Sequence, residues 1–166
     1  QGKLKTRIFA VSPLGDWQRW QRAGVTRNFG SEMLRVGGLK GFADGSLGST
    51  TAWFYKPYLD SPNTVGLPLS EMSVIRKQVL DADKFGLQIM IHAIGDRAND
   101  EILKIYADAE KENGARDRRF RIEHSQHLTP EAIKNFGKQK VVASMQPYHC
   151  IDDGRWAFKR WDAERL

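Results

Sequence analysis

The chain has 166 residues, 40% of them hydrophobic, which is enough for one globular domain with a real core and too apolar for a disordered segment. Lysine and arginine number 26 against 20 aspartate and glutamate, a formal net charge of +6, but the basic residues are interspersed with acidic ones and no nucleic-acid partner is expected. A single cysteine, Cys150, excludes an internal disulfide framework and an all-cysteine zinc site, and no run approaches the roughly 20 apolar residues that cross a bilayer, so a soluble chain with no membrane partner is expected.

Along the chain, short β-rich runs alternate with helical stretches. "TRIFAV" (6–11) reads as a strand and "WQRWQRAG" as a helix closed by Gly24; a second strand falls at "VGGLKGFA" (36–43), weakened by its glycines. After a long loop, Ser70 is placed to cap a helix through "EMSVIRKQVLDADKF", with Ile75, Val79 and Ala82 on one face and Gly86 at its end. "LQIMIHA" (87–93) is the third strand. Asp96 is then expected to cap a helix in which Ile102, Ile105, Tyr106 and Ala109 recur at i, i+3, i+4 and i+7, before Gly114. "RFRIEHS" (119–125) makes a fourth strand, Thr129 with Pro130 opens a short helix stopping near Gly137, and "KVVASMQ" (140–146) is a fifth strand. Strands that alternate with helices predict an α/β fold with parallel pairing and right-handed crossovers.

Polar residues collect at one end of these strands. Lys40 lies late in the second strand with Asp44 just beyond it, His92 ends the third, His124 ends the fourth, and Gln146 and His149 follow the fifth. In a parallel sheet all these carboxyl ends share one rim. By alternation, His92 shares a side of its strand with Met90 and Gln88, and His124 shares one with Ile122 and Phe120, so both are expected to face a common interior. Each residue alone has an ordinary explanation: a strand-end histidine is commonly a hydrogen-bonded structural residue, Asp44 before Gly45 is a turn residue, Asp96 a cap and His127 local structure. It is the joint occurrence of two histidines and a lysine on successive strand ends that suits a metal site, each strand offering one rigid ligand position.

The stretches "LKGFADGSLGSTTAWFYKPYLD", "IHAIGDRAND", "RIEHSQHLTPEAI" and "VVASMQPYH", in that order and at suitable spacings, resemble the amidohydrolase superfamily, specifically amidohydrolase family 3 with its N-substituted formamide deformylase-like enzymes. The resemblance covers residues 36 to 150. It implies a (β/α)8 barrel carrying one or two divalent metals, usually zinc, and a small-molecule amide as substrate. Position by position, it implies that Lys40 matches a strand lysine that many relatives carbamylate to bridge two metals, and that His92 and His124 match ligands of the next two strands. A free ammonium would repel a metal, whereas carbamylation makes the lysine a carboxylate-like ligand. The resemblance puts Asp44, Gln146 and His149 where substrate contacts are made.

The family's opening His-x-His pair and closing aspartate have no counterpart in these residues. The resemblance therefore implies a partial barrel, 1–166, of about five parallel strands corresponding to barrel strands three to seven, since a full barrel takes about 250 residues. The catalytic aspartate is then unassigned, the isolated chain is expected to bind metal poorly and to lack turnover, and open sheet edges are expected to promote self-association or homo-oligomers. Two other functions compete. The "DGSLGST" loop could cradle a phosphate or nucleotide, though it lacks the G-x-G-x-x-G and G-x-x-x-x-G-K-[ST] spacings. The tail "RWAFKRWDAERL" alternates Trp156, Phe158 and Trp161 with Arg155, Lys159 and Arg160, as a non-catalytic basic interaction module would; a helix packing its aromatic side inward is the expected account.

Overall fold

A computed structural model describes residues 3–163 and Arg165. Its centre is a parallel sheet with the spatial order β1 (Ile8–Pro13), β3 (Leu34–Phe42), β4 (Gln88–Ala93), β5 (Arg121–His124) and β6 (Val142–Ser144). The connections carry helices α1 (Trp17–Arg22), α2 (Met72–Lys84), α3 (Asp96–Asn113) and α4 (Pro130–Gln139), and a short α5 (Tyr148–Asp152) follows the last strand. The α/β alternation and all five parallel strands match the pattern read from the sequence, and the arrangement is that of part of a (β/α)8 barrel. A sixth strand, β2 (Phe29–Gly30), was not foreseen; it pairs antiparallel with β3 and has only two residues, too short for a periodicity signal.

β3 is longer than its glycines suggested. Ala10 pairs with Val36 but Val11 with Gly38, so Gly37 is an extra residue bulged out of the ladder at φ 113°, where a Cβ would lie 2.2 Å from the Thr26 carbonyl oxygen. Glycine here sets the bulge and lets the backbone approach, which leaves the strand intact.

The helices bury the faces their periodicity predicted: Ile75, Val79 and Ala82 of α2 and Ile102, Ile105, Tyr106 and Ala109 of α3 are all buried. With Leu39, Ile89, Ile91, Ala93 and Ile122 from one face of the sheet, and Ala132 and Phe136 of α4, they form the main core. Helix starts differ in detail. Thr129 caps α4 as expected, its Oγ1 accepting from Ala132 N at 2.9 Å. Glu71, not Ser70, precedes α2, and Asp96 is the first residue of α3, where Gly95 is the cap. The Asp96 Oδ1 accepts instead from the amides of Tyr55 at 3.0 Å and Arg97 at 2.6 Å, so the long loop after β3 has drawn it away from capping. α4 runs through Gly137 and ends at Lys140 in the left-handed region, φ 54°.

A second core lies at the carboxyl ends of the strands, where Leu47, Ala52, Phe54 and Tyr58 of the loop after β3 pack with Ile94, Ala157 and Trp161. The tail was expected to be a helix with its aromatic side inward. It forms short 3-10 turns instead, with Trp161 buried (2% exposed) and Phe158 outside (57%). Arg160 over Tyr58 and Arg165 over Trp161 are engaged with the loop.

Candidate metal centre

The strand register decides which side chains meet. One face carries the core residues; the other carries Lys40 beside Met90 beside Arg121 and, one step on, Phe42 beside His92 beside Glu123. Lys40 and His92 therefore project together from the face that the helices do not cover. His124 breaks the pattern. Its ladder neighbour Ala93 and its alternation partner Ile122 are both fully buried on the helix side, so simple alternation would send His124 to the opposite face from His92. This corrects the reason given for their convergence. The backbone turns left-handed at two successive residues, φ 77° at His124 and 45° at Ser125, a region that costs non-glycine residues energy. Ser125, fully buried, donates its hydroxyl to the Ile122 carbonyl at 3.0 Å and holds the turn. The rings of His92 and His124 then stand 4.5 Å apart between centroids, inclined at 72°.

Hydrogen bonding fixes which nitrogen each ring offers. The His92 Nε2 lies 2.7 Å from the Gly45 carbonyl oxygen, which can only accept, so Nε2 carries the proton and Nδ1 keeps the lone pair. The His124 Nδ1 lies 2.7 Å from Gln146 Oε1, while the Gln146 amide donates toward the Ser144 carbonyl at 3.4 Å; Nδ1 is thus the donor and Nε2 is the one left with a lone pair. Burial lowers the pKa of both rings; for His92 the Gly45 bond opposes this, and for His124 the Gln146 bond does. Both are therefore neutral at neutral pH. Lys40 is also pushed below the usual lysine value by burial, with Glu123 pulling up and Arg121 pushing down, and its Nζ stands 4.7 Å from the Phe42 ring centre.

These features fit a metal. A ligating histidine typically donates its other nitrogen to a carbonyl or carboxylate, as each ring does here, and neutral imidazole is the ligating form. Among the described residues no group of three or more His, Cys, Asp or Glu side chains is assembled to hold an ion.

Asp44 sits under the site rather than on it. It is 0% exposed, and its carboxylate accepts from the amides of Trp53 and Gly95, each at 2.8 Å, and Ile94 at 3.0 Å. This corrects the expectation that Asp44 touches substrate: no oxygen of it reaches the surface. Burial raises its pKa to about 6 despite those three amides. Gln146 is exposed, and His149 stacks on His124 at 5.6 Å and 16°, so both remain at the mouth.

Two supporting groups escaped the sequence reading. Gln126 accepts from His149 Nδ1 at 3.0 Å and donates to Asp153. Arg121 grips Glu123 through two bonds of 2.8 and 2.9 Å and reaches Ser144 Oγ at 2.7 Å; although burial works to raise it, this grip and Lys40 hold the Glu123 carboxyl below its usual range. The i, i+2 spacing of Arg121 and Glu123 on a strand was the available signal.

Most amides of the "DGSLGST" loop are turned inward rather than toward an anion. Those of Gly45, Ser46, Ser49, Thr50 and Thr51 all bond within the loop, to Thr51, Ser46 and Leu47. No described helix is long and apolar enough to cross a membrane.

Comparison with known proteins bears on the family and the fold. A model of the amidohydrolase family matches residues 2–166. The Arabidopsis thaliana protein LONG AFTER FAR-RED 3 is 45% identical over 98% of the chain, which spans 28% of that protein. Two crystal structures of uncharacterized metal-dependent hydrolases, from Pyrococcus furiosus and Pyrococcus horikoshii OT3, superpose on 99% of the chain with TM-scores of 0.86, at 32% and 33% identity. The chain covers 33% and 32% of those two proteins.

Proposed function

Because the chain belongs to the amidohydrolase family, we propose that it supplies the histidine- and lysine-bearing middle of a metal-dependent hydrolase of small molecules, acting on carbon–nitrogen bonds of the amide type. The observation that carries this reading is the pair of neutral imidazoles, His92 through Nδ1 and His124 through Nε2, brought together beside Lys40. In this reading residues 1–166 are a partial barrel, about strands three to seven, and the remaining ligands and the proton-shuttling aspartate come from other parts of the full-length protein.

His92, His124 and Lys40 would hold one or two divalent ions, zinc first among them. Such an ion, when bound, polarises a carbonyl and lowers the pKa of water so that hydroxide forms near neutral pH. The lysine's lowered pKa favours its free amine, the form that adds carbon dioxide to give a carbamate and release a proton. Gln146 and His149 stand at the mouth, where contact with substrate is expected; His149, with Nδ1 donating to Gln126, offers its Nε2 lone pair to a substrate N–H. The strand edges of β1 and β6 carry exposed Ile8, Val11 and Val142, which favours self-association of the isolated stretch.

Metal analysis of the full-length protein tests the assignment. Stoichiometric zinc that is lost in both Lys40→Ala and His124→Ala supports it; unchanged metal content in these variants removes both residues from the site.

A further inference from the structure

We propose that Asp44 is a positioning residue that fixes the tautomer and orientation of His92 from beneath the site. This rests on the reading of His92 as a metal ligand. Asp44 ties together three separate segments: its own turn after β3, the loop at Trp53, and the residues that follow β4 at Ile94 and Gly95. The clasp is close, since a Cβ on Gly95 would fall 2.0 Å from the Trp53 carbonyl oxygen. Held this way, the turn sets the Gly45 carbonyl oxygen 2.7 Å from His92 Nε2 and the Asp44 Oδ1 3.4 Å from the same atom.

Both oxygens only accept. A ring nitrogen facing two acceptors must carry the hydrogen, so the lone pair is confined to Nδ1. The Asp44 Oδ2 takes two amides and Oδ1 takes one, which leaves Oδ1 as the oxygen with capacity for His92. Among the described residues, Asp44 is the one carboxylate within ion-pair distance of His92. No part of it is exposed, so its effect on chemistry at the mouth can pass only through the groups it holds.

Asp44→Asn changes one atom and makes the inference testable. The asparagine oxygen best replaces Oδ2, which accepts two amides, so its NH2 takes the place of Oδ1, where it loses the Ile94 amide bond and directs a donor toward His92 Nε2. The Gly45 carbonyl at 2.7 Å still calls for a proton on Nε2, so the two demands on that nitrogen conflict and part of the population shifts its proton to Nδ1. In metal-free full-length protein labelled with [15N]histidine, with His92 assigned from its absence in His92→Gln, the wild type is expected to show a protonated Nε2 and a bare Nδ1. Asp44→Asn is expected to mix these signatures, and to weaken zinc binding, measured by chelator competition, by about 10–100-fold. Asp44→Ala serves as the second variant: it loosens the clasp without supplying a donor, so its histidine spectrum should show disorder without a shift of the proton to Nδ1. An unchanged His92 spectrum in a folded Asp44→Asn protein overturns the proposal. A shifted tautomer with unchanged zinc affinity leaves Asp44's hold on the ring standing but removes His92 from the metal, and so overturns the reading beneath it.

Discussion

The rings of His92 and His124 meet edge to face at 4.5 Å, although their strands present them to opposite faces of the sheet. Convergence depends on two left-handed residues in a row, and that dependence can be measured at the second of them. Ser125 is fully buried at φ 45° with its hydroxyl bonded to Ile122. Ser125→Val places a β-branched side chain in this conformation and is expected to cost about 2 kcal/mol or more, with loss of zinc affinity through His124. Ser125→Gly removes a hydrogen bond but relieves the strain, so the two changes of about 1 kcal/mol offset and stability stays close to the wild type. Denaturation midpoints of the two variants, compared side by side, check the contrast; equal losses in both would mean the left-handed turn is not the controlling feature.

His127 gives the protein a pH dependence on the acid side. Burial pushes its pKa down to about 4 from an ordinary value of 6.5, with Asp153 acting against this, and its ring lies against Phe54 and Trp161. Between these two values the unfolded chain binds a proton that the folded chain refuses, so stability falls as pH drops from 6.5 toward 4. The loss is on the order of 3 kcal/mol at the lower limit. His127→Phe keeps an aromatic ring in the cluster and removes the titration, so its melting temperature should depend less on pH across this interval than that of the wild type. Parallel curves would place the acid sensitivity elsewhere.

Asp83 anchors the opposite end of the sheet from the histidines. It is 1% exposed and binds Arg118, whose side chain is only 8% exposed, together with Arg116 and Asn113. Arg118 also caps the carbonyls of Ala109 and Gly114 near the end of α3. Asp83→Ala leaves a buried guanidinium without its carboxylate and should destabilise by about 3–5 kcal/mol, read as a drop in the urea midpoint. Arg119→Ala, which removes an exposed pair with Asp117, should change little by the same measure.

Trp161 links the tail to the loop that carries Asp44 and Gly45. It stacks against Tyr58 at 4.9 Å and lies 4.2 Å from the Phe54 ring centre, and the neighbouring Arg160 carbonyl accepts from Leu59 N at 3.0 Å. Trp161→Ala is expected to cost about 3–5 kcal/mol through the cavity it leaves. Hydrogen exchange should rise first in residues 44–69, because that loop loses its packing while the main core between the sheet and helices is untouched. Exchange that rises uniformly, or first in α2 and α3, would show that the second core is not a separate unit.

Local chemistry made much of the protein readable from its residues alone. The five parallel strands and the helices between them follow from apolar spacing of two and of 3.6 residues, and Thr129 with Pro130 marked a helix start correctly, because such signals act within one turn of chain. The placement of Lys40, His92 and His124 at strand ends follows from the same reading, since parallel connections bring those ends to one rim. What required the tertiary structure depends on residues far apart in the chain. Alternation alone would have turned His124 inward against the helices; a left-handed backbone stabilised by packing at Ser125 brings it to His92. Asp44 looks like a surface turn residue until amides from Trp53, Ile94 and Gly95 fold over it, and the tail's aromatic residues look like a helix face until Trp161 finds a pocket in a loop some hundred residues earlier. In each case a buried polar or strained group is tolerable only when distant partners satisfy it, and no local signal reports whether those partners will be there.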